Sequence, residues 1–240
     1  MANFATHISV AAVGAGLFAT ATLKLGQVSE PEAVVLTLLG TLGGILPDID
    51  LKYSYPSRII FSVFGMMAAF ASVFALQERF SIVELWMTAT LVFLAVRYPC
   101  WALFHRYAEH RGAIHSVAMA ILVWFATTSV AFHAFARPAG MAWLSGSFAG
   151  GGFLLHLLLD ELYSVDFMNN TLKRSFGSAM KLIDSGAWLA SAVIVLLAGL
   201  FWLTTPPADA LLWFSTAEFS DAIGGVLLPE GGWFGTHLAE

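Results

Sequence analysis

Seven histidine and aspartate residues fall in four short stretches of the chain: His7, Asp48 and Asp50 in LPDID, His110 and His115 in HRGAIHS, and His156 and Asp160 in HLLLD. Imidazole nitrogens and carboxylate oxygens are donors for divalent cations, and such groups near a membrane interior are costly unless they have a partner or a task. His156 and Asp160 stand four residues apart, so a helix presents both from one stripe, the spacing by which it offers two ligands to one ion. Pro47 halts helical hydrogen bonding, which puts Asp48 and Asp50 where the chain turns and where they can bridge ions or bind them separately. Gly112 frees the backbone between His110 and His115, with Ser116 near a helix start. Cys100 is the only cysteine, which excludes a disulfide framework and a zinc-thiolate cluster and leaves nitrogen and oxygen as the donors. A mixed imidazole and carboxylate shell suits Zn²⁺, with Mn²⁺ or Fe²⁺ as second choices, whereas an all-oxygen shell would point to Mg²⁺ or Ca²⁺. Seven donors exceed the needs of one tetrahedral zinc. Two or three ions are therefore expected, and paired ions about 3.5–4 Å apart suit phosphoester hydrolysis. Glu109 and Glu161 flank donors and are candidates for a supporting contact or a general base. His105 continues the five-residue spacing His105, His110, His115, but is assigned to the interface and left out of the donor set.

The elements that must carry these residues are apolar. The chain has 240 residues, 58% hydrophobic and 11% charged, with mean hydropathy +0.78, whereas a soluble domain carries roughly 25% charged residues. Apolar runs with almost no charge recur, most of them long enough to span a bilayer, at Ile8 to Leu25, Ala33 to Leu46, Ile59 to Leu76, Ile82 to Leu103, Ile114 to Phe135, Met141 to Leu162 and Ala187 to Thr204. The expected fold is all-α, a polytopic helical membrane protein with about seven transmembrane helices, the second short. Breaker and polar segments separate the spans, the longest being Ser164 to Gly186. Glycines crowd the second span (Gly40, Gly43, Gly44) and the sixth (Gly146, Gly150, Gly151, Gly152), which predicts close helix packing at the centre of the bundle. Residues 1–205 read as a single transmembrane domain. Residues 206–240, with Leu211 to Phe214 and Val226 to Leu228 interrupted by Asp209, Glu218 and Asp221, read as an amphipathic tail that is interfacial or re-entrant. The first stretch lacks a basic leader pattern and a cleavage site, so it reads as a retained helix. No basic tract of the nucleic-acid-binding kind is present, and that class of partner is excluded.

If the spans alternate, all seven donors fall on one membrane face, joined by His105, while His133 and His237 map to the other. Lys52, Arg58, Arg97, Arg106, Arg111, Lys173, Arg174 and Lys181 share the donor face, against Lys24, Arg79 and Arg137 opposite. Since cytoplasmic loops are enriched in Lys and Arg, the N terminus and the donors are expected to face the cytoplasm.

An N-terminal His followed by LPDID, HRGAIHS and HLLLD in that order is similar to the pattern of the YdjM-type family of bacterial membrane-bound metal-dependent hydrolases, from His7 to about Asp160. Ile114 departs from the threonine that this family often has there, while ELYSVDF followed by LKRSFGSAMKL resembles a feature of a longer branch. The resemblance implies metal-site roles for His7, Asp48, Asp50, His110, His115, His156 and Asp160. More distantly, the pattern resembles the zinc-dependent phospholipase C and P1 nuclease group, which implies phosphoester substrates; in an inner membrane the substrate would be a lipid. Arg111, Arg174 and Lys173, with Lys181, would then meet the phosphate by charge-assisted bonds. The leading expectation is a metal-dependent hydrolase using metal-activated water on a membrane-lipid phosphoester. The alternatives are a divalent-metal transporter and a catalytically silent membrane scaffold with structural metal. Reporter fusions at Arg79 and at Glu240 are expected to read as external; a cytoplasmic signal at either would reverse the orientation.

Overall fold

The computed structural model describes residues 3–50, 54–107, 112–166, 171–172, 180–209, 221–222 and 224–226. Its helices start where short polar side chains catch backbone N–H groups that have no partner in the first turn. Helix α1 (Phe4–Lys24) is capped by Asn3, whose Oδ1 accepts from the Thr6 N–H at 2.8 Å. Helix α2 (Glu30–Gly43) and α4 (Ile82–Ala95) each begin with a serine whose own N–H donates to a glutamate three residues on, Ser29 to Glu32 at 2.9 Å and Ser81 to Glu84 at 2.8 Å. Between α2 and α3 (Tyr55–Leu76) lies a single 3-10 turn, Pro47–Asp50.

The fourth expected span does not end at Leu103. Helix α4 runs through a π-turn, Val96–Cys100, into α5 (Trp101–Tyr107). Pro99 lies inside that turn, and because proline has no N–H to give to the fourth carbonyl back, the helix widens there instead of breaking. His105 is consequently a helix residue. The fifth expected span begins later than Ile114: α6 is Val117–His133, and residues 112–116 are turn. Helices α7 (Ala139–Leu162) and α8 (Trp188–Trp202) complete the bundle, with a two-residue antiparallel pairing, Val165–Asp166 against Thr171–Leu172, in the polar segment between them.

All seven expected spans are thus helical. Phe4–Lys24, Ser57–Leu76, Ile82–Arg106 and Ala139–Leu162 are long and apolar enough to cross a membrane, while α6 and α8 are shorter apolar helices. Helix α2, at 14 residues, rises about 21 Å, short of the roughly 30 Å hydrocarbon core. The tail expected over 206–240 lies largely outside the described residues.

Helix α7 is the centre. It buries Trp143, Gly146, Phe153, Leu157 and both of its candidate donors, and it packs on α1, α2 and α6, while α1 pairs with α2, α3 with α4, and α8 with α6. Helices α3 and α4 present Phe70, Phe74, Trp86 and Leu91 outward, the pattern of a surface whose solvent is lipid. The glycines decide how closely α2 and α7 approach. A Cβ on Gly43 would strike the Ala149 carbonyl oxygen, and one on Gly152 would strike the Gly40 carbonyl oxygen. Gly151, expected to join them, faces open space.

Replacing Gly152 with Ala is therefore expected to cost about 1–3 kcal/mol by overpacking, and Gly151→Ala less than about 0.5 kcal/mol. Unfolding in mixed detergent micelles measures both; equal effects would mean that the α2–α7 contact is not backbone-close.

Candidate metal centre

Four elements deliver the donors to one end of the bundle. His7 sits in the first turn of α1, buried, its N–H bonded to the Asn3 carbonyl at 3.1 Å. Asp48 and Asp50 lie on the 3-10 turn, where the Asp48 carbonyl accepts from the Ser54 hydroxyl at 3.3 Å. His115 lies in the turn before α6, with its N–H on the Gly112 carbonyl at 3.1 Å. Ser116 caps that helix, accepting from the Met119 N–H at 3.3 Å. The next two N–H groups, of Val117 and Ala118, go to the carbonyls of Lys181 and Leu182 at 2.9 and 3.1 Å, so the end of the polar segment closes over the start of α6. His156 and Asp160 occupy one buried stripe near the end of α7.

The side chains meet across these elements. His7 Nε2 lies 3.3 Å from Asp160 Oδ1, His156 Nε2 lies 3.6 Å from Asp48 Oδ1, and His115 Nδ1 lies 3.1 Å from Asp50 Oδ2. The imidazoles of His7 and His156 stack at 3.7 Å with 12° between their planes, and His115 meets His156 edge-on at 5.8 Å. His7, His156 and Asp160 form one group, and Asp48, His115 and His156 another, each offering donor atoms within 4.8 Å of one another. All five side chains are buried.

The tautomer of His156 follows from its surroundings. Its Nδ1 lies 2.7 Å from the Gly44 carbonyl oxygen; a carbonyl only accepts, so Nδ1 carries the hydrogen and donates it. In the neutral ring Nε2 then holds a lone pair. That atom is buried, has no hydrogen-bond partner among the described residues, and points toward the Asp48 carboxylate from beyond hydrogen-bond range. A buried lone pair aimed at carboxylates suits a cation. The spacing agrees, because zinc ligand bonds of about 2.0–2.2 Å at tetrahedral angles place neighbouring donors about 3.3–3.6 Å apart.

The donor set thus fits a divalent ion, with two consequences. One lone pair serves one ion, so His156 belongs to one group at a time, and a second ion in the other group would lean on carboxylates. Asp50 stands against His115 and in neither group, the position from which a carboxylate orients an imidazole. Beyond the end of α2, burial drives the Asp48 carboxyl above the usual carboxylate range, against the opposing pull of His7 and His115; a bound dication would restore the charged form.

Of the other residues singled out in the sequence, Glu161 is partly buried near the end of α7. His110, Arg111, Lys173, Arg174 and Glu109 lie outside the described residues, as does His237. His133 points the opposite way, bonding the Thr204 carbonyl at 2.7 Å. His105 lies beside the 3-10 turn and outside both donor groups.

Among known proteins, a family profile described as YdjM inner membrane protein matches residues 1–217. Neither the curated proteins nor the solved structures yield a match.

Zinc affinity in detergent, measured by competition with a chromophoric chelator, is expected to fall at least about 100-fold in His156→Ala, at or beyond the upper end of what losing a supporting contact costs. His133→Ala is expected to bind as the wild type does. Undiminished zinc binding by His156→Ala would remove the centre from these residues.

Proposed function

Because the chain belongs to the YdjM inner membrane protein family, we propose that it is a membrane-embedded metal-dependent hydrolase, acting on a phosphoester of a membrane lipid from the cytoplasmic side. The observation that carries the reading is the buried Nε2 of His156, its lone pair fixed by the Gly44 carbonyl and turned toward Asp48 and its neighbours.

His7, Asp48, His115, His156 and Asp160 would hold the ions, with His110 as a further donor and Asp50 orienting His115. A bound dication supplies Lewis acidity and lowers the pKa of water toward neutrality. The chain's own part is to fix each donor before the ion arrives. Gly44 sets the proton on His156, Ser116 and the Lys181–Leu182 carbonyls pin the His115 turn, and the surrounding helices keep bulk water from the donors. Arg111, Arg174 and Lys173 are the proposed partners of the phosphate, a role that bidentate guanidinium groups fill well. The lipid assignment rests on position: the donors gather at one end of an apolar bundle, where a headgroup sits and an acyl chain can stay in the membrane.

A divalent-metal transporter would place its site near mid-membrane on broken helices. Here α1 and α7 are continuous through their donors, and the interruption in a spanning helix, the π-turn at Val96–Cys100, carries no donor. Enclosure of the donors favours a second reading, a scaffold with structural metal.

Zinc- or manganese-loaded protein is expected to hydrolyse phospholipids and not acyl esters or peptides, with loss of turnover in Asp160→Ala. Metal uptake into proteoliposomes would favour the transporter. Bound metal without turnover of any lipid phosphoester would favour the scaffold.

A further inference from the structure

His105 is buried in an apolar neighbourhood. Its ring lies 4.9 Å from that of Trp101, 5.1 Å from Phe104 and 6.0 Å from Phe61, beside a core formed by Ile45, Ile49, Ile60 and Phe61. An imidazole in such a place is costly unless its nitrogens are used, and both are. Nδ1 lies 2.8 Å from the Trp101 carbonyl one turn back on α5, and Nε2 lies 3.0 Å from the Ile49 carbonyl, across 56 residues of sequence. Ser57 Oγ lies 3.1 Å from the same Nε2 and accepts from the Trp101 indole N–H at 3.0 Å.

Ile49 is the residue between Asp48 and Asp50. Its carbonyl belongs to a four-residue 3-10 turn, too short to satisfy its own last carbonyls. The preceding carbonyl, of Asp48, is held by Ser54. The peptide that aims both carboxylates is therefore tied to α3 on one side and to α5 on the other. Both carbonyls only accept, so a neutral His105 ring donates to one of them at a time, and the link to Ile49 is the tautomer with its hydrogen on Nε2.

We propose that His105 is a positioning residue for the metal centre: its Nε2–H grips the Ile49 carbonyl and so holds Asp48 and Asp50 in the rotation that meets His156 and His115. The inference rests on the metal reading of the site, and concerns a residue that supplies no donor to it.

Three substitutions separate the grip from simple packing. A Gln side chain places its amide nitrogen near the position of Nε2, an Asn near that of Nδ1, and Leu fills space without either. His105→Gln is expected to keep zinc affinity within about 3-fold and the wild-type visible spectrum of the cobalt form. His105→Asn and His105→Leu are expected to bind zinc at least about 10-fold more weakly, with altered cobalt bands, while the metal-free His105→Asn protein melts close to His105→Gln in the same detergent. Equal affinities for the Gln and Asn variants, or affinity losses that simply follow the melting temperatures, would overturn the proposal. Wild-type protein that binds no zinc would overturn the metal reading and this inference together. Wild-type binding matched by His105→Leu would overturn this inference alone.

Discussion

The hydrogen bond from His156 Nδ1 to the Gly44 carbonyl joins the central helix to the end of its shortest neighbour, and much of the architecture exists to permit it. A carbonyl at a helix end has no partner within the helix, and in an apolar bundle that vacancy would be expensive. The imidazole fills it. To reach it, α2 and α7 must touch backbone to backbone, and the glycines at 40, 43 and 152 leave no Cβ in the way. The same bond settles which nitrogen of His156 is left with a lone pair. Packing, backbone satisfaction and ligand chemistry thus meet in one contact.

Electrostatics explains why the donors are buried whether a helix or a connecting turn carries them. Asp48, Asp50 and Asp160 are buried within a few ångströms of imidazoles, and carboxylates so placed need positive charge. Stacked imidazoles are poor sources of it, since two protonated rings at the His7–His156 separation would repel. A dication would supply positive charge from one point. The surrounding layers of apolar side chains then strengthen every interaction within by excluding water.

The helical plan was legible because hydrophobic runs of bilayer length say little else, and Ser116, read as near a helix start, caps α6. Grouping the donors needed only alternation of spans, and His7, Asp48, His115, His156 and Asp160 do come together. Three features were beyond a linear reading. Helix α5 continues past the Pro99 π-turn, so the polar stretch after Leu103 is partly helix. Among the described residues the carboxylate of Asp50 lies against His115, itself a member of a donor group, while Asp48 turns to His156. The reach of His105 to Ile49 spans two helices, which no local spacing encodes.

The depth of α7 within the bundle carries a consequence for how the protein is made. Helices α1 with α2, and α3 with α4, are neighbours in sequence and can pair as they leave the ribosome. The glycine face of α2 cannot; its partner begins about a hundred residues later, and the Gly44–His156 contact closes a separation of 112 residues. Until α7 is synthesised, His7 lacks Asp160 and Asp48 lacks His156, and the bundle is two hairpins and α6 without the helix that joins them. The helix that brings the candidate donors together is also the one that joins the hairpins, so the candidate ion site and the packing of α1, α2 and α6 on α7 come into being in the same event, before α8 settles on α6.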